Sequence, residues 1–197
     1  MFKKLDGTDL ALIAGFAALN AVCGSLPAIS VSSLVPITLQ TFAVILSGAV
    51  LGARRGFLAV LLYLVIGAAG LPVFANGASG LSTFTSISGG YLISFPFDAA
   101  LTGFAVSLLP RRSIATNVPL VFVAGYLGVL LSHACGIVGM HWFGDLSWRT
   151  AWNFDKPFWL DDTLKAVAIA IVATAVHRAF PGLLPRRRMP RLGAATA

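Results

Sequence analysis

Glutamate is absent from this chain of 197 residues, so every acidic side chain is one of seven aspartates. Charged residues of both signs amount to 11%, where a soluble domain carries roughly 25%. With 57% hydrophobic residues and a mean hydropathy of +0.88, the polar surface is too small to face water on all sides. That shortage excludes a soluble protein and leaves an integral membrane protein, of one domain at this length. Cysteine is scarce too: Cys23 and Cys135 both lie inside apolar runs and read as structural thiols. The pattern G-x-x-x-x-G-K-[ST] is missing, which excludes ATP hydrolysis through a P-loop, and so is the G-x-S-x-G elbow of serine hydrolases. His133, His141 and Asp145 are the imaginable metal ligands, but no ligand motif surrounds them. The eight residues between the histidines also turn a helix about 80° off one face. No metal is expected there, and His133 reads as a hydrogen-bonding residue.

The apolar residues that are present fall into six segments, near 10–29, 37–52, 57–74, 89–109, 118–140 and 160–180. Pro27, Pro36, Gly52, Gly56, Pro72, Pro110, Pro119, Pro157 and Pro181 punctuate them. A spanning helix takes about 20 residues, so the second and third segments are short. The first has the basic start of a signal peptide and ends near a cysteine, but Asp6 and Asp9 interrupt the basic region and Val22 is a poor cleavage neighbour. It is expected to be retained as a helix.

The net charge of +7 does not point to nucleic acid, because the basic residues cluster between apolar runs instead of forming one stripe. Lys3 and Lys4 precede the first segment, Arg54 and Arg55 separate the second and third, and Arg111 and Arg112 separate the fourth and fifth. Arg178, Arg186, Arg187, Arg188 and Arg191 close the chain. These are eleven of the fourteen Lys and Arg, all in alternate connections; only Arg149, Lys156 and Lys165 remain for the other side. The positive-inside rule then gives an all-α protein with six transmembrane helices and both termini cytoplasmic.

The other, outer side is chemically distinct. Its first connection runs from Pro27 to Pro36. The second, Leu71 to Ser88, has 18 uncharged residues including Phe74, Leu81, Phe84 and Ile87, and reads as a folded cap over the helix ends. The third, His141 to Trp159, carries Trp142, Trp148, Trp152 and Trp159, a pattern that first suggests a headgroup belt. The sixth segment opens with Asp161, Asp162 and Lys165. Asp162 and Lys165 lie three apart on one helical face, and ionisable groups at membrane depth usually face a wet cavity or the bundle interior. Asp161 reads as a helix cap. Thr38, Gln40 and Thr41 open the second segment and Gly89, Gly90 and Tyr91 the fourth; ligand contact and helix packing explain both sets equally well. Asp98 has no evident partner in the sequence. Small residues recur at four in the first segment, Ala14 with Ala18 and Ala17 with Ala21, and in the sixth, Ala166 with Ala170 and Thr174. Such faces pack internally or dock a partner subunit.

The run Val35–Phe74, with "GGYLISF" from Gly89 and "DDTLKA" from Asp161, closely resembles the BioY family, the biotin-specific S components of energy-coupling factor transporters. The likeness covers roughly residues 8 to 180. It implies the S-component fold, a vitamin pocket on the extracellular side, residence in the bacterial cytoplasmic membrane and no cofactor or enzymatic activity. It implies partners as well: a transmembrane T component and two ABC-type ATPases. Asp162 and Lys165 match a pair that the family uses on biotin, and Asn76 is the polar residue carried over from the connection after the third helix. Tyr91, Gln40 and Thr38 complete the expected pocket, and Ala14 and Ala18 match the surface that docks the T component. Some members carry a basic residue in or just after that connection, whereas this chain has no Lys or Arg between Arg55 and Arg111, which throws weight onto Lys165. The competing readings are an S component for another small vitamin, a stand-alone biotin permease, a ligand-free scaffold, and a membrane enzyme using His133 and Asp145. Only the enzyme would depend on His133, so biotin uptake is expected to survive its replacement.

Overall fold

The computed structural model describes residues 4–27 and 38–184. The connection Pro27–Pro36, apart from Pro27, lies outside the described residues, as do Lys3, Arg186, Arg187, Arg188 and Arg191. Among the described residues there are seven α-helices and no strand: α1 (Gly7–Ser25), α2 (Gln40–Leu51), α3 (Ala53–Ala68), α4 (Gly89–Leu108), α5 (Arg111–Thr116), α6 (Val118–Phe143) and α7 (Trp148–Ala179). By length and composition α1, α4 and α6 are long and apolar enough to cross a bilayer.

The short α2 is the centre of the bundle. Its 12 residues rise only about 18 Å, and ten of them are buried. It packs against α1, α3, α4, α6 and α7, so its side chains meet protein on every side, which is why its sequence is apolar without an amphipathic period. Buried polar side chains tie it to its neighbours. Asn20 of α1 donates to Ser47 Oγ at 2.9 Å, Gln40 Nε2 bonds Tyr63 Oη of α3, and His177 Nε2 of α7 meets Ala49 O at 2.9 Å.

The third helix begins earlier than its segment suggested, at Ala53 instead of near 57, and ends at Ala68 instead of near 74. One residue makes the elbow from α2: Gly52 has φ +81° and ψ 173°, a region open only to glycine. Gly56, expected to help break the chain, is inside α3 as a packing residue facing the Gly48 backbone. Gly52→Ala is therefore expected to cost about 1–3 kcal/mol, read as a fall of several degrees in the thermal unfolding midpoint. An unchanged midpoint would show the elbow to be unstrained by a Cβ.

The last helix departs furthest from expectation. It starts at Trp148, twelve residues before the sixth segment, and runs straight through Pro157. Proline removes one hydrogen bond, to the carbonyl of Asn153, and Asn153 is exposed, so that carbonyl keeps access to the surroundings. The cap of α7 is consequently Ser147, whose hydroxyl accepts from Thr150 N at 3.2 Å. Asp161, read as a cap, is a mid-helix residue.

Hydrogen bonds also join the start of α1, the α2–α3 elbow and the segment after α7. Asp6 and Asp9 form a capping box at α1. Arg55, read as a loop charge, is buried: it donates to Asp9 Oδ1 at 3.3 Å, to Leu51 O at 3.1 Å, and to Leu183 O. The opposite end of the bundle holds the starts of α2 and α4 and the middle of α7, and there the functional residues converge.

Candidate ligand-binding cavity

A cavity of about 530 Å³ opens at that opposite end, within the range typical of small-molecule sites. Four parts of the chain line it: the entry to α2 (Thr38, Gln40, Thr41), the 71–88 connection, the first turns of α4 (Tyr91, Leu92, Phe95) and α7 (Phe158, Asp162, Lys165).

The 71–88 connection is folded, with 3₁₀ turns at Ala75–Gly77 and Leu81–Thr85. Phe74 anchors it. This ring is 1% exposed, edge-on to Tyr63 at 5.5 Å and to Phe84 at 5.7 Å, and it fills the space over Gly67 where a side chain would stand. Gly80 N donates to Gly67 O at 2.8 Å, closing the cap onto α3. The anchored loop presents Asn76 and a group of serines, Ser79, Ser82, Ser86 and Ser88, to the cavity. Asn76 holds a left-handed backbone (φ 57°), a conformation asparagine tolerates, and it is an exposed residue at the cavity.

Tyr91 is placed by helix packing. Gly90 of α4 and Gly139 of α6 are in close contact, and the Tyr91 ring covers Gly136, where any Cβ would overlap it. Its hydroxyl is already used, donating to Asp155 Oδ1 at 2.6 Å, so the cavity receives the ring and not the hydroxyl. Phe158 lies beside it at 6.4 Å, and with Phe95 and Phe74 they make apolar walls.

The charged corner belongs to α7. Asp162 and Lys165, three residues apart, both turn to the cavity, with side chains 7% and 10% exposed. Lys165 Nζ donates to Asp162 Oδ1 at 3.0 Å and to Thr38 O at 2.7 Å, and it forms an ion pair with Asp161. One ammonium thus links α7 to the chain just before α2. Thr38 Oγ1 also donates to Gln40 Oε1 at 3.1 Å, which orients that amide beside the pair.

All six residues expected to form a pocket, Asp162, Lys165, Asn76, Tyr91, Gln40 and Thr38, line this one cavity. Ala14 and Ala18 lie elsewhere, exposed on the outer face of α1, whereas Ala17 is buried and Ala21 half-buried against the bundle. In α7, Ala166, Ala170 and Thr174 are buried. Asp98 is fully buried and accepts from Ser94 Oγ at 2.8 Å.

Two residues escaped sequence reasoning, or were misassigned by it. Asp155 precedes Pro157, outside the sixth apolar segment; because α7 begins at Trp148, Asp155 stands seven residues, or two turns, before Asp162 on the same face. His133, weighed with Asp145, pairs instead with Asp155 through Nδ1 at 2.8 Å. His141 Nδ1 meets Leu146 O at 2.6 Å, and its ring stacks on Trp148 at 4.0 Å. Of the four tryptophans, Trp142, Trp148 and Trp152 are exposed, but Trp159 turns inward and donates to Asp155 Oδ2 at 2.6 Å.

These features define an all-helical membrane protein that holds a small-molecule cavity at one end of its bundle. The BioY family model matches residues 1–182. The chain is 38% identical over 183 residues to the biotin transporter BioY of Rhizobium etli, covering 91% of this chain and 97% of that one. It is 36% identical over 189 residues to the biotin transporter BioY of Rhodobacter capsulatus, covering 91% and 98%. The fold matches the crystal structure of the S-component for biotin from an ECF-type ABC transporter, with a TM-score of 0.82, 25% identity, and coverage of 89% of this chain and 95% of that one. This chain belongs to the BioY family.

Proposed function

We propose that this chain is the biotin-binding S component of an energy-coupling factor transporter in a bacterial cytoplasmic membrane. The observation that carries the proposal is the placement of Asp162 and Lys165 on the wall of a cavity otherwise lined by apolar side chains and uncharged polar groups. Biotin has matching parts. Its ureido ring offers two N–H donors and a carbonyl, its bicyclic body and alkyl chain suit apolar walls, and its carboxylate needs a cation. Asp162 is the acceptor for ureido N–H groups, Asn76 and the Ser-rich cap serve the remaining polar atoms, and Lys165 supplies positive charge. A ligand lacking one of these groups would orphan its buried partner, at about 1–3 kcal/mol each.

In this reading α1, α2, α3, α4, α6 and α7 cross the membrane and α5 is a short connector. The start of α1, the elbow at Arg54 and Arg55, and the segment after α7 share one end, remote from the cavity. Among the described residues Lys4, Arg54, Arg55 and Arg178 belong to that end, so the positive-inside rule makes it cytoplasmic and turns the cavity outward. Trp142, Trp148 and Trp152 then stand at the outer headgroup level. A T component and two ABC-type ATPases supply the energy, since the chain carries no nucleotide-binding loop of the P-loop type.

The test is calorimetric titration of the isolated, detergent-purified chain. Every expected ligand group comes from this one polypeptide, so biotin is expected to bind with a sub-micromolar dissociation constant without partner proteins. Millimolar affinity or none would refute the biotin reading, and tight binding of thiamine or lipoate in its place would reassign the vitamin. Biotin uptake by cells expressing the chain but no T component or ATPase would instead make it a stand-alone permease.

A further inference from the structure

Behind the cavity wall runs a polar chain whose inner members line no part of the cavity. Asp155 is fully buried and accepts on both oxygens: Oδ1 from Tyr91 Oη at 2.6 Å and from His133 Nδ1 at 2.8 Å, Oδ2 from Trp159 Nε1 at 2.6 Å. Indole N–H only donates, so Asp155 is the acceptor of this knot. It follows that the proton of a neutral His133 resides on Nδ1, and the other ring nitrogen faces away from Asp155. The ring is held flat against Trp159, with centroids 4.7 Å apart and planes 19° apart. So fixed, His133 Nε2 stands 3.6 Å from Asp162 Oδ2. It is buried, and among the described residues it has no hydrogen-bond partner.

A bare Nε2 would set its lone pair against those of a carboxylate oxygen. A proton on Nε2 removes that conflict and makes the ring an imidazolium between two buried carboxylates. The charges then alternate through the wall: Asp155, His133, Asp162, Lys165. Without it, Asp155 is a buried carboxylate with no cation beside it, an arrangement proteins avoid. We propose that His133 and Asp155 are positioning residues for ligand binding: Asp155 orients His133, and His133 holds a proton against Asp162 Oδ2 while Lys165 holds Oδ1. The carboxylate is thereby fixed in the rotation that turns its remaining lone pairs to the cavity, where they accept paired N–H donors of the ligand. The inference rests on the biotin reading and deepens it, and it replaces the expectation that His133 is dispensable.

Biotin titrations of the purified chain test this, with unfolding midpoints measured without ligand. His133→Gln, which keeps a polar group but cannot be charged, is expected to bind at least tenfold more weakly. In an Asp162→Asn background the same change is expected to cost less than threefold, because the carboxylate it positions is gone. Trp159→Phe keeps the stack and loses one hydrogen bond to Asp155; it is expected to lose affinity only a few-fold, which serves if His133→Gln fails to fold. A His133→Gln protein with wild-type affinity, or one whose loss is as large in the Asp162→Asn background, overturns the proposal. So does a Trp159→Phe protein with wild-type affinity. A wild-type chain that does not bind biotin at all refutes the biotin reading instead, which separates the two failures.

Discussion

Replacing Asp162 with alanine is expected to lower the biotin affinity of the purified chain by two to three orders of magnitude while leaving a folded protein. The side chain is 7% exposed; Lys165 Nζ donates to Oδ1 at 3.0 Å, and His133 Nε2 stands 3.6 Å from Oδ2. Alanine removes the acceptor for the ligand and also strips the Lys165 ammonium of one of its two carboxylate partners. Hydrogen bonds from ligand N–H groups to a charged acceptor are worth about 1.5–3 kcal/mol each, so losing two costs about 3 kcal/mol or more, and each 1.4 kcal/mol is about tenfold in affinity. Folding should survive, because Lys165 keeps the Thr38 carbonyl and Asp161. Asp162→Asn retains the shape and one acceptor, so its loss should be smaller, near ten- to a hundredfold. Calorimetry gives the affinities, and the unfolding midpoint without ligand controls for structure. An alanine variant binding within threefold of wild type would place the ligand elsewhere in the molecule.

Why was this corner legible in the sequence when the residues behind it were not? Asp162 and Lys165 are three apart in an otherwise apolar run, so local spacing alone sets them on one face, and their charge makes an outward orientation toward lipid costly. Asp155 needs two further facts, neither of them local. The helix must continue through Pro157, although "WRTAWNFDKPFW" has the aromatic and polar composition of an interfacial loop. The partner, His133, must also be brought from α6 across 22 residues of sequence. Packing of α7 on α6 decides both, overriding the breaker. The same logic explains the elbow after α2. Two glycines around a pair of arginines read as a loop, but the turn consumes only Gly52, and Gly56 serves close packing on Gly48. Arg55 shows the limit of reading charge as topology alone: its cluster marks one end of the bundle, and its guanidinium is also a structural clasp among Leu51, Asp9 and Leu183.

The outer face of α1 leads to the second large effect, which separates binding from transport. The two small-residue registers of this helix could not be ranked by spacing. In the structure Ala17 and Ala21 turn toward the bundle, while Ala14 and Ala18 are exposed between Leu10 and Val22, themselves 57% and 59% exposed. Neither alanine lines the cavity. A flat stripe of this kind lets another helix approach closely, and filling it with large rings forbids that approach. In the proposed transporter the approaching helices are those of the T component. Ala14→Trp combined with Ala18→Trp is therefore expected to abolish biotin uptake by cells and co-purification of the T component, with biotin affinity of the isolated chain within twofold of wild type. Uptake at the wild-type rate would show that this face docks nothing. Loss of binding together with uptake would instead mean that the rings disturb the bundle, and the smaller Ala14→Leu change would then decide: it should impair uptake several-fold at unchanged affinity, because a branched side chain already separates two helix backbones that alanine allows to touch.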